Sequence, residues 1–194
     1  NTFVAQLVGR EDEEGCARAT AQGILFAVLS IPLIFLLQPV GLWVLRLVGH
    51  APEVLQLEET YFRILLYGGG GMVLSSAFSS FFSGRSCTRM VMGCNLVANG
   101  INIFMNYLFV FGGWGLPEMG IAGAAWASVI GSWSAALLFG FFYFNREHRQ
   151  RFGTWRQLQF ERVMFMRMLR FGLPNGFHFF TEVAAFTVFV LLIG

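Results

Sequence analysis

The sequence predicts an all-α membrane protein, a polytopic bundle of helices that cross a bilayer. Hydrophobic residues make up 56% of the 194 residues and charged residues only 12%, about half of their usual share in a soluble domain. Several runs without charge are long enough to span a membrane, which takes roughly 20 residues. Every basic residue is an arginine, and the arginines concentrate in alternate loops, the pattern expected when one side of a membrane is enriched in positive charge.

The chain begins without a methionine and ends inside an apolar run, so we expect it to be a piece of a longer protein. Residues 1–9 are predicted to be the end of a helix whose body precedes them. The loop that follows, residues 10–18, contains four consecutive acidic residues. They suit either a metal site or the first turn of the next helix, where carboxylates favour the helix dipole, and we favour the helix turn.

The first full span is predicted between residues 18 and 46, with kinks at Pro32 and Pro39 because proline removes a backbone hydrogen bond. The second span runs from about residue 57 to residue 83. Its run of four glycines lacks the Lys-Ser/Thr ending of a phosphate loop, which favours either close helix packing or a flexible segment. Ser75 and Ser79, one turn apart, give this span a polar face that is either a seam between helices or the wall of a cavity.

The third span, residues 91–111, carries asparagines at spacings of four, three and four, a helical period that places them on one stripe. The stripe is either hydrogen-bonded packing between helices or the polar wall of a substrate cavity, because amides in lipid must find partners. Its members are Asn95, Asn99, Asn102 and Asn106. The fourth span, residues 121–144, has small residues every four positions, which lets helix backbones approach closely. These are Gly123, Ala127, Gly131 and Ala135.

Residues 145–170 are predicted to connect the fourth span to the last one. Seven arginines lie there among aromatic residues, a mixture that suits nucleic acid or anionic lipid headgroups. The flanking spans favour headgroups, and we predict no nucleic-acid partner. Arg46 and Arg63 fall on one side of the membrane and the remaining arginines on the other, so the positive-inside rule places the second group in the cytoplasm.

The last span, residues 171–194, contains one acidic residue, Glu182. It lies about 16 Å beyond Phe171 at 1.5 Å per residue, near the middle of a roughly 30 Å hydrocarbon core. A carboxylate there costs several kcal/mol unless it is paired, protonated or hydrated, which indicates an ion or proton site. His178, one turn earlier on the same face, either shares a proton with Glu182, keeps that acid ionised, or forms a hydrogen bond to a neighbouring helix.

Three stretches resemble, in their order and spacing, the multidrug and toxic compound extrusion (MATE) transporters, with the NorM-like branch the most similar. They are NTFVAQLVG, NGINIFMNYLFVFG followed by PEMGIAGAA, and RFGLPNGFHFFTEVAAF. Three positions depart from the family pattern. Arg10 stands where alanine is usual, and Asn106 where another branch has an aspartate, while His178 has no counterpart in the common pattern.

The resemblance implies twelve helices in two six-helix lobes around a central cavity. This chain would run from the end of helix two to helix seven. Residues 1–144 would belong to the first lobe, residues 145–170 would be the cytoplasmic linker between lobes, and residues 171–194 would begin the second lobe. Glu182 matches the helix-seven acid that binds the coupling cation in NorM-like members.

The implied function is an antiporter of the bacterial inner membrane that exports cationic or amphipathic drugs by alternating access, driven by Na⁺ or H⁺. The expected partners are the lipid bilayer and small organic cations, with the full-length protein a monomer. The asparagine stripe, Ser75 and Ser79 would line the cavity, and Glu182 with His178 would bind the coupling ion. No other cofactor, no metal site and no catalytic residue are predicted.

Three alternatives remain beside the antiporter. A flippase for lipid-linked precursors, from a related superfamily, would need buried cations for a pyrophosphate, and no arginine or lysine lies in the middle of a span. A membrane enzyme would need a nucleophile and base or a metal cluster. The histidines lie in separate segments, however, and no HExxH or CxxC occurs. A structural membrane protein would keep Glu182 neutral, and removing the acid would only stabilise the fold.

Overall fold

A computed structural model describes residues 2–115 and 117–193, without the side chains of Trp114 and residues 190–193. This part of the chain is helical and contains no strand. It divides into two compact units, Asn1–Gln159 and Phe160–Gly194. The helices are α1 (Thr2–Val8), α2 (Glu13–Leu36), α3 (Gln38–Val48), α4 (Pro52–Gly84), α5 (Thr88–Phe111), α6 (Gly120–Tyr143), α7 (Arg146–Arg151) and α8 (Arg162–Ile193), with a 3₁₀ turn at Gly113–Gly115.

The first predicted span forms two helices. Pro32 lies inside α2, whereas Pro39 lies in the first turn of α3, and the chain breaks between them at Leu37. Proline has no N–H to donate to the carbonyl four residues earlier, but it is tolerated in a first helical turn, where that donor has no partner. The interruption predicted at Pro39 is therefore confirmed, and it takes the form of a helix boundary at Leu37.

Four helices, α2, α4, α5 and α6, are long and apolar enough to cross a membrane. The second, third and fourth predicted spans are confirmed as α4, α5 and α6. The predicted last span lies in α8, which begins earlier, at Arg162. Gly194 and the side chains of residues 190–193, which belong to that span, lie outside the described part of the chain.

Helix α4 packs against α6 and α2 through its run of glycines, which is the first of the two alternatives that the sequence left open. A methyl group added to Gly71 would lie 3.0 Å from the backbone nitrogen of Trp133, and one added to Gly68 would lie 3.3 Å from the Val129 Cα. On the α2 side, a methyl group on Gly70 would lie 2.8 Å from the Ile31 side chain. The glycines therefore let the helices approach so closely that even an alanine would require a neighbour to shift.

Helix α6 meets α5 through its predicted small-residue face. A methyl group on Gly123 would lie 2.7 Å from the backbone carbonyl of Phe109, and one on Gly131 would lie 2.9 Å from the Asn102 Cβ. Ala127, between them, is fully buried. The prediction that this face packs against another helix is confirmed.

The loops rich in arginine meet at one end of the first unit, which we call the basic end (residues 9–18, 84–88 and 144–159). Arg151 Nε donates a 2.7 Å hydrogen bond to Glu13, which raises the pKa of Arg151 above its usual value. Phe152 is only 2% exposed, and the Arg85 guanidinium lies 4.2 Å from the centre of its ring. These contacts fix the segment after α6 to the base of the helices.

Ion pairs at the opposite end join α3 to α4. Arg46 Nε donates a 2.7 Å hydrogen bond to Glu59, which raises the pKa of Arg46. Arg63 lies 3.6 Å from the same carboxylate, one turn further along α4. His50, just after α3, lies 2.8 Å from Glu58. Acidic and basic residues at the start of α4 thus pair with each other and with the end of α3.

Candidate functional site

The asparagine stripe of α5 has two different parts. The Asn106 side-chain amide donates to the Asn102 backbone carbonyl at 3.1 Å and to its side-chain oxygen at 3.2 Å, and both residues are half-buried. Asn102 also packs against Gly131 of α6. Asn95 and Asn99 are exposed, and neither side-chain amide makes a hydrogen bond within the described residues. The stripe thus begins exposed and ends against α6.

The serine face of α4 uses its hydroxyls locally. Ser75 donates to the Met72 carbonyl at 2.9 Å, and Ser79 donates to the Ser76 carbonyl at 3.3 Å. Both residues are half-buried. Local bonds of this kind let hydroxyls lie in an apolar helix without another partner.

Glu182 and His178 lie on α8, in the second unit, and both are exposed there. Their spacing of one helical turn places them on one face of α8, as predicted. Within the second unit, neither side chain forms an ion pair or hydrogen bond with another side chain that the structure describes. The Glu182 carboxylate therefore has no partner among the described side chains of its own unit.

The predicted cavity residues of the first unit lie on helices that pack against α6 at different places. Helix α4 approaches α6 near Val129 and Trp133, whereas α5 approaches it near Gly123 and Gly131. No hydrogen bond joins the serine face to the asparagine stripe among the residues that the structure describes. A shared cavity wall therefore stays a prediction, as does the role of Glu182 and His178 in ion binding.

Three of the four consecutive acidic residues around the start of α2 form hydrogen bonds or ion pairs within the first unit. Asp12 accepts a 2.8 Å hydrogen bond from the Gly15 N–H and caps α2, while Glu13 pairs with Arg151. Glu14 accepts a 3.3 Å hydrogen bond from Gln157. Glu13 and Glu14 lie in the first turn of α2, as the favoured interpretation of this loop predicted. Within residues 2–115 and 117–193, no three metal-ligating side chains converge.

Contacts at the basic end include residues that the sequence did not single out. Gln22 is fully buried, and its Nε2 donates a 2.8 Å hydrogen bond to the carbonyl of Gln159. The Arg85 guanidinium lies over Phe81 as well as Phe152, at 4.8 Å from the Phe81 ring centre. The signal in the sequence was Gln22 itself, a polar residue in an otherwise apolar span. Such a residue requires a hydrogen-bond partner when the fold buries it.

The fold and these polar positions define an all-α, polytopic membrane protein. A family model described as MatE matches residues 1–108. The chain belongs to the MatE family, which confirms the resemblance to MATE transporters.

Relatives and a solved structure agree with this family. The chain is 28% identical over 198 residues to a "Probable multidrug resistance protein NorM" from Listeria monocytogenes, covering 99% of this chain and 42% of that protein. It is 30% identical over 200 residues to a protein of the same name from Rhizobium meliloti, covering 99% of this chain and 41% of the relative. The chain thus spans about two fifths of the length of these curated relatives.

A solved structure described as an inward-facing conformation of a multidrug resistance MATE family transporter of the MOP superfamily superimposes with a TM-score of 0.75. It is 22% identical and covers 89% of this chain and 39% of its own. At that identity the likeness establishes the fold. The predicted fold class, part of a larger helical transporter, is confirmed.

Proposed function

We propose that the complete protein is a cation-coupled antiporter that exports cationic or amphipathic compounds across the bacterial inner membrane. The observation that carries this proposal is Glu182, an exposed carboxylate on an apolar helix without a partner among the described side chains of its own unit. Ionisable groups within membrane helices mark ion pathways and proton relays, because lipid alone does not stabilise their charge. The relatives named as multidrug resistance proteins support the same class.

The proposed mechanism is alternating access in which the coupling ion and the drug bind in turn. Loading Glu182 with Na⁺ or H⁺ neutralises its charge, and releasing that ion to the cytoplasm restores the charge. His178, one turn away, exchanges a proton with the carboxylate or orients it. Asn95 and Asn99 offer amides to the substrate, and the basic end faces the cytoplasm, in accord with the positive-inside rule.

The test is a Glu182→Gln variant of the full-length protein in proteoliposomes, driven by a Na⁺ gradient at equal pH or by a pH gradient at equal Na⁺. The amide keeps the size of the side chain but holds no exchangeable charge. Export should fall roughly tenfold or more, which corresponds to a loss of at least about 1.4 kcal/mol. The gradient that drives the unmodified protein identifies the coupling ion.

Glu118→Gln is the matched control, because Glu118 is exposed in the loop between α5 and α6. This variant should export at the unmodified rate. If Glu182→Gln also retained full gradient-driven export, the proposed coupling role would be wrong. Export lost equally in both variants would indicate a general effect of the substitution and would also contradict it.

The proposed surroundings are a lipid bilayer and a monomeric full-length protein. Large apolar side chains such as Met72 and Leu96 are 70% and 72% exposed in this chain, as expected of helices that lie in lipid or meet further helices. The proposal is of a transport protein rather than an enzyme.

A further inference from the structure

An apolar groove of about 930 Å³ lies along the C-terminal half of α6. Leu74 and Phe78 of α4 line it, as does Ile101 of α5. Leu137 and Phe141 of α6 also line the groove and are 71% and 73% exposed. All three helices are long and apolar enough to span a membrane, so the groove opens onto space where apolar groups are expected.

The end of the groove at the basic end is polar. Asn145 and Arg146 line it there, immediately after α6 ends. The Asn145 side chain is occupied, because it accepts a 2.7 Å hydrogen bond from the Arg146 N–H. The Arg146 side chain is exposed, and its guanidinium forms no ion pair with the residues that the structure describes. The groove therefore joins a long apolar wall to one unpaired cation.

We propose that this groove binds an anionic phospholipid, with an acyl chain along α6 and the phosphate on Arg146. Arginine presents a planar fork of donors that matches the oxygens of a phosphate. The cytoplasmic leaflet is the one rich in anionic lipids, and the basic end faces it in the orientation proposed above. The inference rests on that orientation but not on the transport activity.

Charge separates this lipid from the other amphipathic compounds that would fit the apolar wall. A cationic drug would place its positive group against Arg146, where like charges repel. A zwitterionic lipid would bring its own ammonium group close to the same guanidinium. An anionic lipid is the occupant whose charge complements the groove.

The experiment measures lipid retention by the full-length protein with native mass spectrometry, after purification from bilayers that contain equal amounts of phosphatidylglycerol and phosphatidylethanolamine. Phosphatidylglycerol should be retained in preference. Arg146→Gln should lower its retention roughly tenfold, the factor that corresponds to about 1.4 kcal/mol. Arg156→Gln is the control, because Arg156 is exposed at the same end but does not line the groove. The Arg156→Gln variant should retain as much phosphatidylglycerol as the unmodified protein.

A second arm tests the acyl chain. Leu137→Gln places an amide on the groove wall at an exposed position, so folding should be preserved while retention falls. A phosphatidylglycerol with a photoreactive acyl chain should label the α6 peptide around Leu137. Equal retention in Arg146→Gln and the unmodified protein would overturn the proposal. So would labelling elsewhere, displacement by inorganic phosphate alone, or cross-linking of Leu137→Cys to another segment of the full-length protein.

Discussion

The four asparagines of α5 have different surroundings although they share one stripe. The Asn106 side chain is hydrogen-bonded to Asn102, whereas the side chains of Asn95 and Asn99 have no hydrogen bond within the described residues. An amide removed from water without a partner costs roughly 1–3 kcal/mol, so within a bilayer Asn95 and Asn99 require water, substrate or another helix. The arrangement favours a packing role for the first pair and a binding role for the second.

At the residue scale we predict that Asn99→Leu lowers drug export more than Asn106→Leu does. Losing one hydrogen bond to substrate is worth about 0.5–1.5 kcal/mol, or a roughly 2–10-fold lower rate. Initial export rates from proteoliposomes of the full-length variants, corrected for the amount of protein inserted, measure the difference. If Asn106→Leu had the larger defect, the prediction that Asn99 rather than Asn106 contacts the substrate would be wrong.

Residue type was sufficient to single out Glu182 and the asparagines, because a charge or an amide stands out within an apolar run. It was not sufficient for Arg85 and Phe152. These two residues are far apart in the sequence and meet only when the turn between α4 and α5 packs against the segment after α7. Periodicity describes one helix at a time and carries no information about such a long-range contact.

At the scale of elements, the seam between α4 and α6 depends on the absence of side chains. A methyl group at Gly71 would lie 3.0 Å from the Trp133 nitrogen and 3.1 Å from the Ser132 carbonyl carbon. Both are backbone atoms, so no side-chain rotation relieves the contact. The two helices would have to move apart, and part of their apolar packing would be lost.

We predict that Gly71→Ala lowers the free energy of unfolding by about 1–3 kcal/mol, the usual range for overpacking. Gly93→Ala is the control within α5, because a methyl group there meets no atom within 4 Å among the described residues. That variant should be neutral or slightly more stable, since alanine favours a helix over glycine. Denaturant titration of both full-length variants in lipid–detergent micelles measures their free energies of unfolding. If Gly71→Ala were as stable as Gly93→Ala, the close packing of α4 on α6 at Gly71 would be refuted.

The spans were predictable to within a few residues because apolar runs bounded by charge, glycine or proline mark the ends of membrane helices. The exceptions have local causes. Pro39 divides the first predicted span, so that this one span forms two helices, α2 and α3. Helix α8 begins at Arg162, within residues predicted to form a connector, because its first turns combine Arg167 with apolar residues at helical spacing.

At the scale of the molecule, charge is distributed very unevenly between the two ends of the first unit. Arg46 and Arg63 are paired at one end through Glu59. The basic end contains the larger set of arginines, namely Arg10, Arg18, Arg85, Arg146, Arg149, Arg151 and Arg156. The positive-inside rule counts arginines in short loops, so pairing at either end does not alter the expected orientation.

We predict that the basic end lies in the cytoplasm of intact cells. In a full-length protein without its native cysteines, Gln150→Cys should react with a membrane-impermeant maleimide only after the cells are permeabilised. Glu53→Cys, exposed at the start of α4, should react without permeabilisation. The reverse pattern would invert the orientation and remove the basis of the lipid site.

The family and fold class were predictable because the hydropathy pattern and the order of several motifs extend along the whole chain and can be recognised from the sequence alone. The position of the candidate ion site relative to the first unit was not, because that position depends on packing between units rather than within them. Glu182 was placed near the middle of the bilayer by counting from Phe171, and its depth stays a prediction.

The ring cluster at the basic end has a practical consequence for engineering. The Tyr143 and Phe152 rings each lie edge-to-face against the Phe81 ring, with centroid distances of 5.0 Å and 5.2 Å. A fluorescent reporter or an epitope inserted between Phe152 and Thr154, both buried, would separate these rings. The same insertion after Gln159, where the first compact unit ends, would leave the ring contacts unchanged. The boundary at Gln159 is therefore the better graft point for imaging or affinity purification.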